Sequence, residues 1–162
     1  MQRGRHIVTS LGTKSLSGGW PTRDDAFAID SVARFVGASL GAGDAAVVIA
    51  TRPHLLDLEH RLSVRGLDLD IARIEGRYVT IDVEEALSRV MHDGLPDRRL
   101  FSELIGDVIV EASDGQRVPV RAFGEMVPIL RSEGNEHAAA RMQELWSELA
   151  ATVPFERWDS RS

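Results

Sequence analysis

Apolar residues along the chain fall into two patterns, stripes at helical spacing and short continuous runs, and the two alternate. Ile29, Val32, Val36 and Leu40, with Ala33 beside them, predict a helix from near Asp24 to Gly41. Ala46-Val47-Val48-Ile49-Ala50 is too short for a helix and rich in β-branched residues, which predicts a strand covered on both faces. Thr51 closes that strand, and Pro53 opens the next helix, where a missing N–H leaves no bond unmade. Leu55, Leu58 and Leu62 mark the buried face of this helix and Gly66 its stop. Residues 67–76 read as a short acidic connection with one helical turn. Tyr78-Val79-Thr80-Ile81-Asp82 is the next strand, and Asp82 and Glu85 have capping-box-like spacing. The helix they open carries Val83, Leu87, Val90 and Met91, and Gly94 ends it. Asp97 caps a longer helix with the clearest stripe in the chain: Leu100, Phe101, Leu104, Ile105, Val108 and Ile109.

After an Asp114-Gly115 turn, the stretch from Val118 to Met126 predicts a strand that delivers Glu125 to its C-terminal end. Pro119 cannot donate to a ladder, so it belongs at the strand start or on an exposed edge. Helix resumes after Glu125, with Pro128 in the first turn, and Gly134-Asn135 interrupts it. Ala138, Met142, Leu145, Trp146, Leu149 and Val153 define a long amphipathic helix that Pro154 terminates. At the other end, Ile7-Val8-Thr9 reads as a first strand and residues 9–23, rich in Ser, Gly and Thr, as a long loop. The resulting order, β-α-β-α-β-α-α-β-α-α, predicts an α/β fold: three layers, with a mostly parallel sheet flanked by helices. One domain is expected over residues 1–162, with its core at about 5–155 and a polar tail at 156–162.

Composition narrows the function classes. A length of 162 residues, 43% hydrophobic and 27% charged, is an ordinary globular profile. A formal net charge of -6 argues against direct nucleic-acid binding. No cysteine is present, which excludes disulfides, thiol catalysis and thiolate metal sites and agrees with a cytoplasmic location. No apolar run approaches a membrane span, and the basic start, Met1 to His6, is not a signal peptide.

The chemistry is sparse. Gly12-Thr13-Lys14-Ser15 follows a candidate strand but lacks the Gly-Lys pair and upstream glycine of a phosphate-binding loop. Gly37, Gly41 and Gly43 do not make a dinucleotide fingerprint. His6, His54, His60, His92 and His137 show no metal-ligand spacing, and no cofactor is expected. His54 and His60 fall on different faces of one helix, and the histidines read as surface residues, except His6 at the start of the first strand. In an open α/β sheet, ligands gather outside the carboxyl ends of the strands. Glu125 therefore has the best functional claim, with helix-start structure as its rival reading. Thr51 and Asp82 end strands on the same side, where capping is the simpler role. Asp24 and Asp25 either start a helix or contact a ligand, and Trp20 is either a lid aromatic or part of the core.

Several segments, taken in order, resemble the MEDS domain, the methanogen/methylotroph sensory domain of a dichloromethane-responsive regulator. They are Asp24-Asp25-Ala26-Phe27, Val32-Ala33-Arg34-Phe35-Val36-Gly37-Ala38, Ala46 to Thr51, Glu59-His60-Arg61-Leu62, Arg65-Gly66-Leu67-Asp68, Gly76 to Asp82, Arg121 to Met126 and Leu145-Trp146-Ser147-Glu148-Leu149. The resemblance implies a sensory or regulatory module with a RecA/KaiC-like fold that lacks a functional P-loop. It implies a small-molecule ligand, or a signalling partner such as a histidine kinase or an anti-sigma-type regulator. His6, Asp24, Asp25, Thr51 and Glu125 match its recurring polar positions. Two departures stand out. The short link carrying an aromatic Phe-Tyr pair is replaced by Ser10 to Arg23, where Trp20 is the candidate substitute. The final hydrophobic strand is replaced by Glu156-Arg157-Trp158-Asp159. That would leave a sheet edge open, from which a homodimer is expected. The reading is a non-enzymatic bacterial signalling domain. Its rivals are a divergent nucleotide-binding phosphotransferase using Lys14, Ser15 and Glu125 or Asp82, and a pure protein-interaction module.

Overall fold

The computed structural model describes residues 11–13, 16–18, 25–114, 117–152 and 156–157. Its centre is a parallel sheet built on β3 (Ala45–Ala50), flanked by β4 (Tyr78–Asp82) on one side and β7 (Val120–Gly124) on the other. The register pairs Val48 with Thr80 and with Phe123. A two-residue strand, β8 (Glu156–Arg157), adds to β7, giving the order β4-β3-β7-β8. The chain is α/β, with helices on both faces of a parallel sheet, as its alternating pattern predicts.

All six residues of β3 are buried, and they divide between two cores by the period of two of a strand. Ala45, Val47 and Ile49 join one apolar cluster, and Ala46, Val48 and Ala50 the other. The second cluster is supplied by α1 (Asp25–Gly41), α2 (Arg52–Val64) and α3 (Leu69–Ile74). Leu58 and Leu62 of α2 are fully buried there, each worth about 1.5–3 kcal/mol of apolar burial. The first cluster is supplied by α4 (Val83–Val90), α5 (Arg98–Phe101), α6 (Asp107–Ala112), α7 (Met126–Ser132) and α8 (Glu136–Thr152). Within it the Phe101 and Trp146 rings meet edge to face at 5.4 Å.

Polar contacts tie the layers together. The Glu59 carboxylate accepts from Arg73 at 2.6 Å and from the Tyr78 hydroxyl at 3.2 Å, joining α2, α3 and β4. The Arg73 guanidinium also lies over the Tyr78 ring, 4.9 Å from its centroid. Arg77 donates to the carbonyls of Leu40 and Asp44, pinning the end of α1 to the start of β4. Pro119 precedes the first paired residue of β7, and its carbonyl accepts the Ala45 N–H at 2.9 Å, the strand-start position its sequence predicts.

Four local expectations change. Residues read as loop form a short antiparallel hairpin, β1 (Leu11–Thr13) with β2 (Leu16–Gly18), which lies beside α7. Met91 leaves the helix to pair in a second hairpin, β5 (Met91–His92) with β6 (Leu95–Pro96). Its turn residues Asp93 and Gly94 have φ of 54° and 82°, the left-handed pair that a two-residue hairpin requires. The helix capped by Asp97 is not α-helical throughout, because a π-helical stretch, Ser102–Gly106, separates α5 from α6. Finally, part of the expected polar tail is a strand: β8 occupies the β7 edge that the sequence left open. The expected first strand at Ile7 to Thr9 lies outside the described residues.

Candidate functional site

β3 and β7 end side by side, but their chains leave in opposite directions. After β3 the chain enters α2, in one apolar cluster; after β7 it enters α7, in the other. Strand order reverses about this pair, since β4 lies on one side of β3 and β7 on the other. That is a topological switch point, where an open parallel sheet forms a crevice at its carboxyl ends.

Glu125 spans this point. Its N–H donates to the Ile49 carbonyl at 2.9 Å, the last regular rung between β7 and β3. In a regular parallel ladder the next rung would run from the Thr51 N–H to the Glu125 carbonyl. Glu125 has already turned, at φ −101° and ψ 8°, and its carbonyl accepts the Ile129 N–H of α7 at 3.1 Å. The side chain takes the vacated place: the Thr51 N–H donates to Glu125 Oε1 at 2.9 Å. Although Glu125 stands at the N-cap of α7, its side chain makes no capping bond to that helix. The helix-start reading therefore fails in its simple form, because the carboxylate serves the neighbouring strand instead.

The same carboxylate holds His54. Nδ1 lies 3.0 Å from Oε1 and 2.9 Å from Oε2. A carboxylate can only accept, so the pair sets the tautomer with the proton on Nδ1. Glu125 is 3% exposed and its side chain 4%, while the His54 side chain is 19% exposed. A nearly buried anion is thus matched by one backbone donor and one imidazole. Thr51 completes the group: its hydroxyl accepts the His54 N–H at 3.3 Å and caps α2. His54 was read as a surface residue, and that is corrected. The available clue was its place in the first turn of the helix after Thr51, which puts it at the strand-end edge; its spacing from His60 concealed this.

Asp82 stays a cap. It accepts the N–H groups of Glu84 and Glu85 at the start of α4 and lies 3.8 Å from Arg52. Of the other candidates, Asp25 is the first residue of α1, described in its backbone alone. His6, Trp20 and Asp24 lie outside the described residues, as do Lys14 and Ser15. Among the described residues, no group of three or more His, Asp or Glu is placed to hold a metal ion. No helix among them is long and apolar enough to cross a membrane.

The strand before Glu125 is closely backed. A Cβ on Gly124 would lie 3.2 Å from Trp146 Cζ2, so any larger residue here would press on the indole that packs against this end of β7.

A search of curated proteins gave no match, and a search of solved structures gave none. A family model, described as MEthanogen/methylotroph, DcmR Sensory domain (MEDS), matches residues 19–156. That span includes β3, β7, Thr51, His54 and Glu125, and the chain belongs to the MEDS family of sensory domains.

Proposed function

We propose that this chain is a non-enzymatic signalling domain of the cytoplasm that binds a small polar ligand between Thr51 and Glu125. The observation that supports this is the Glu125 carboxylate, nearly buried at the switch point, holding both the Thr51 N–H and His54. A ligand that donates hydrogen bonds competes for that carboxylate. It would release the start of α2 from the end of β7, so two arrangements of one rung become the two states of a switch. The ligand shifts the population between them by its difference in affinity. A signalling protein, such as a histidine kinase or an anti-sigma-type regulator, would read the position of α2.

Native mass spectrometry of the protein isolated from its own host tests this reading, with Glu125→Gln and His54→Ala in parallel. A small molecule retained by the wild type and lost from both variants is the expected result. Equal retention by all three forms, or no retained molecule in the wild type, would overturn it.

A further inference from the structure

The Glu125 carboxylate has no permanent counter-charge among the described residues. Its side-chain partners there are the Thr51 N–H and the His54 ring, and no arginine or lysine pairs with it. Arg52, the first residue of α2, lies 3.8 Å from Asp82 at the end of β4 instead. A carboxylate whose side chain is 4% exposed needs a partner of opposite charge, because burial removes the water that would stabilise it. Among the described residues only the imidazole supplies one, and only when it is protonated.

An anion is the usual guest of a helix that starts at a strand end, held by unpaired N–H groups and the helix dipole. The start of α2 has little to offer it. The Thr51 N–H goes to Glu125 Oε1, and Pro53 has no N–H. The His54 N–H goes to the Thr51 hydroxyl and the Leu55 N–H to the Thr51 carbonyl. This accounts for every N–H from Thr51 to Leu55 except that of Arg52. The chain's own carboxylate stands where an anion would bind, and it repels a second negative charge.

A ligand that draws Glu125 from Thr51 must replace more than one contact of the carboxylate. A neutral hydroxyl brings a single donor of ordinary strength. A primary ammonium brings three donors and the missing charge, and charge-assisted hydrogen bonds are roughly twice as strong as neutral ones. We propose that the ligand held between Thr51 and Glu125 is a cationic amine, a primary ammonium and not a phosphate or carboxylate. This rests on the ligand reading above and names the chemical class of that ligand.

Proton–nitrogen NMR spectra of the intact protein test it, with ethylammonium, tetramethylammonium and inorganic phosphate as probes at equal ionic strength. Ethylammonium should shift the Thr51 and Glu125 amide signals saturably, and Glu125→Gln should abolish the response. Tetramethylammonium carries the charge without an N–H and should bind at least about tenfold more weakly. Phosphate should leave both signals in place. If Glu125→Gln does not fold, the three probes on the wild type decide. Saturable shifts with phosphate, equal responses to the two cations, no response to ethylammonium, or a response that persists in folded Glu125→Gln would each overturn the proposal. Native mass spectrometry separates it from the reading on which it rests. A retained anionic or neutral molecule that Glu125→Gln and His54→Ala both lose would sink the amine and leave the ligand site standing, whereas no retained molecule would sink the site itself.

Discussion

The Thr51 amide donates to the side chain of Glu125 at 2.9 Å, where a regular parallel ladder would offer the Glu125 carbonyl. One residue therefore does two jobs across the sheet. Its backbone starts α7, and its carboxylate extends the pairing of β7 with β3 by one more rung.

Glu125→Ala should destabilise the fold by about 1–3 kcal/mol, because it removes the acceptor of the part-buried Thr51 N–H and the carboxylate contact of the His54 ring. Glu125→Gln should cost less. The amide oxygen can accept from Thr51, and its NH₂ group can donate to Nδ1 in the other imidazole tautomer. Urea denaturation of the three proteins checks the order, with equal stability of the alanine and glutamine variants as the contrary result.

Thr51→Ala should cost about 1 kcal/mol through loss of the α2 cap. It should not be additive with Glu125→Ala, because both side chains hold His54, Thr51 by its backbone N–H and Glu125 by its ring. A double-mutant cycle should give a coupling of about 0.5–3 kcal/mol. A cycle that closes would mean that the cap and the carboxylate act independently.

Gly124→Ala should destabilise by about 1–3 kcal/mol despite its single added methyl. The new Cβ would sit 3.2 Å from Trp146 Cζ2, and the indole also meets Phe101 edge to face. Thermal unfolding measures the loss, and a change in tryptophan fluorescence should accompany it.

Burial, then the neighbouring Glu59 carboxylate and the hydrogen bond to it, push the Tyr78 phenol above its ordinary range, with Arg73 opposing. The folded state thus keeps a proton that the unfolded chain gives up above about pH 10. Stability from this group is complete below that pH and falls as pH rises past it. Denaturant midpoints taken from about pH 9 to 11 should decline, and Tyr78→Phe should flatten the decline. An equal slope in both proteins would place its origin elsewhere.

The sequence made the layers legible because burial imposes a period. The stripe from Ile29 to Leu40 and the run from Ala46 to Ala50 each had one reading that hides their apolar atoms, and both fold that way. Strand ends were equally readable, since Thr51, Asp82 and Glu125 each stand where a strand passes into a helix. The pairing of Glu125 with His54 was not, because it joins residues 71 apart at strand ends that meet only after the sheet has formed. The hairpin at Met91 to Pro96 was missed for a different reason. Asp93-Gly94 is a turn pair with its own geometry, but a glycine after a helical stripe reads first as a stop. β8 is two residues long and polar, too short for any periodicity to reveal.

The borrowed rung at Thr51 also turns one proton into a gauge. An amide at the entrance to a helix ordinarily exchanges with water quickly, since no turn precedes it to supply an acceptor. Here it is shielded by a carboxylate brought from another strand. Its exchange with deuterium should follow the hold of Glu125 alone: slow while the two strand ends stay clasped, fast once a ligand draws the carboxylate away. On the proposed switch, a single backbone resonance would record, in the intact protein and without any label on the ligand, whether the Thr51–Glu125 rung is closed or released.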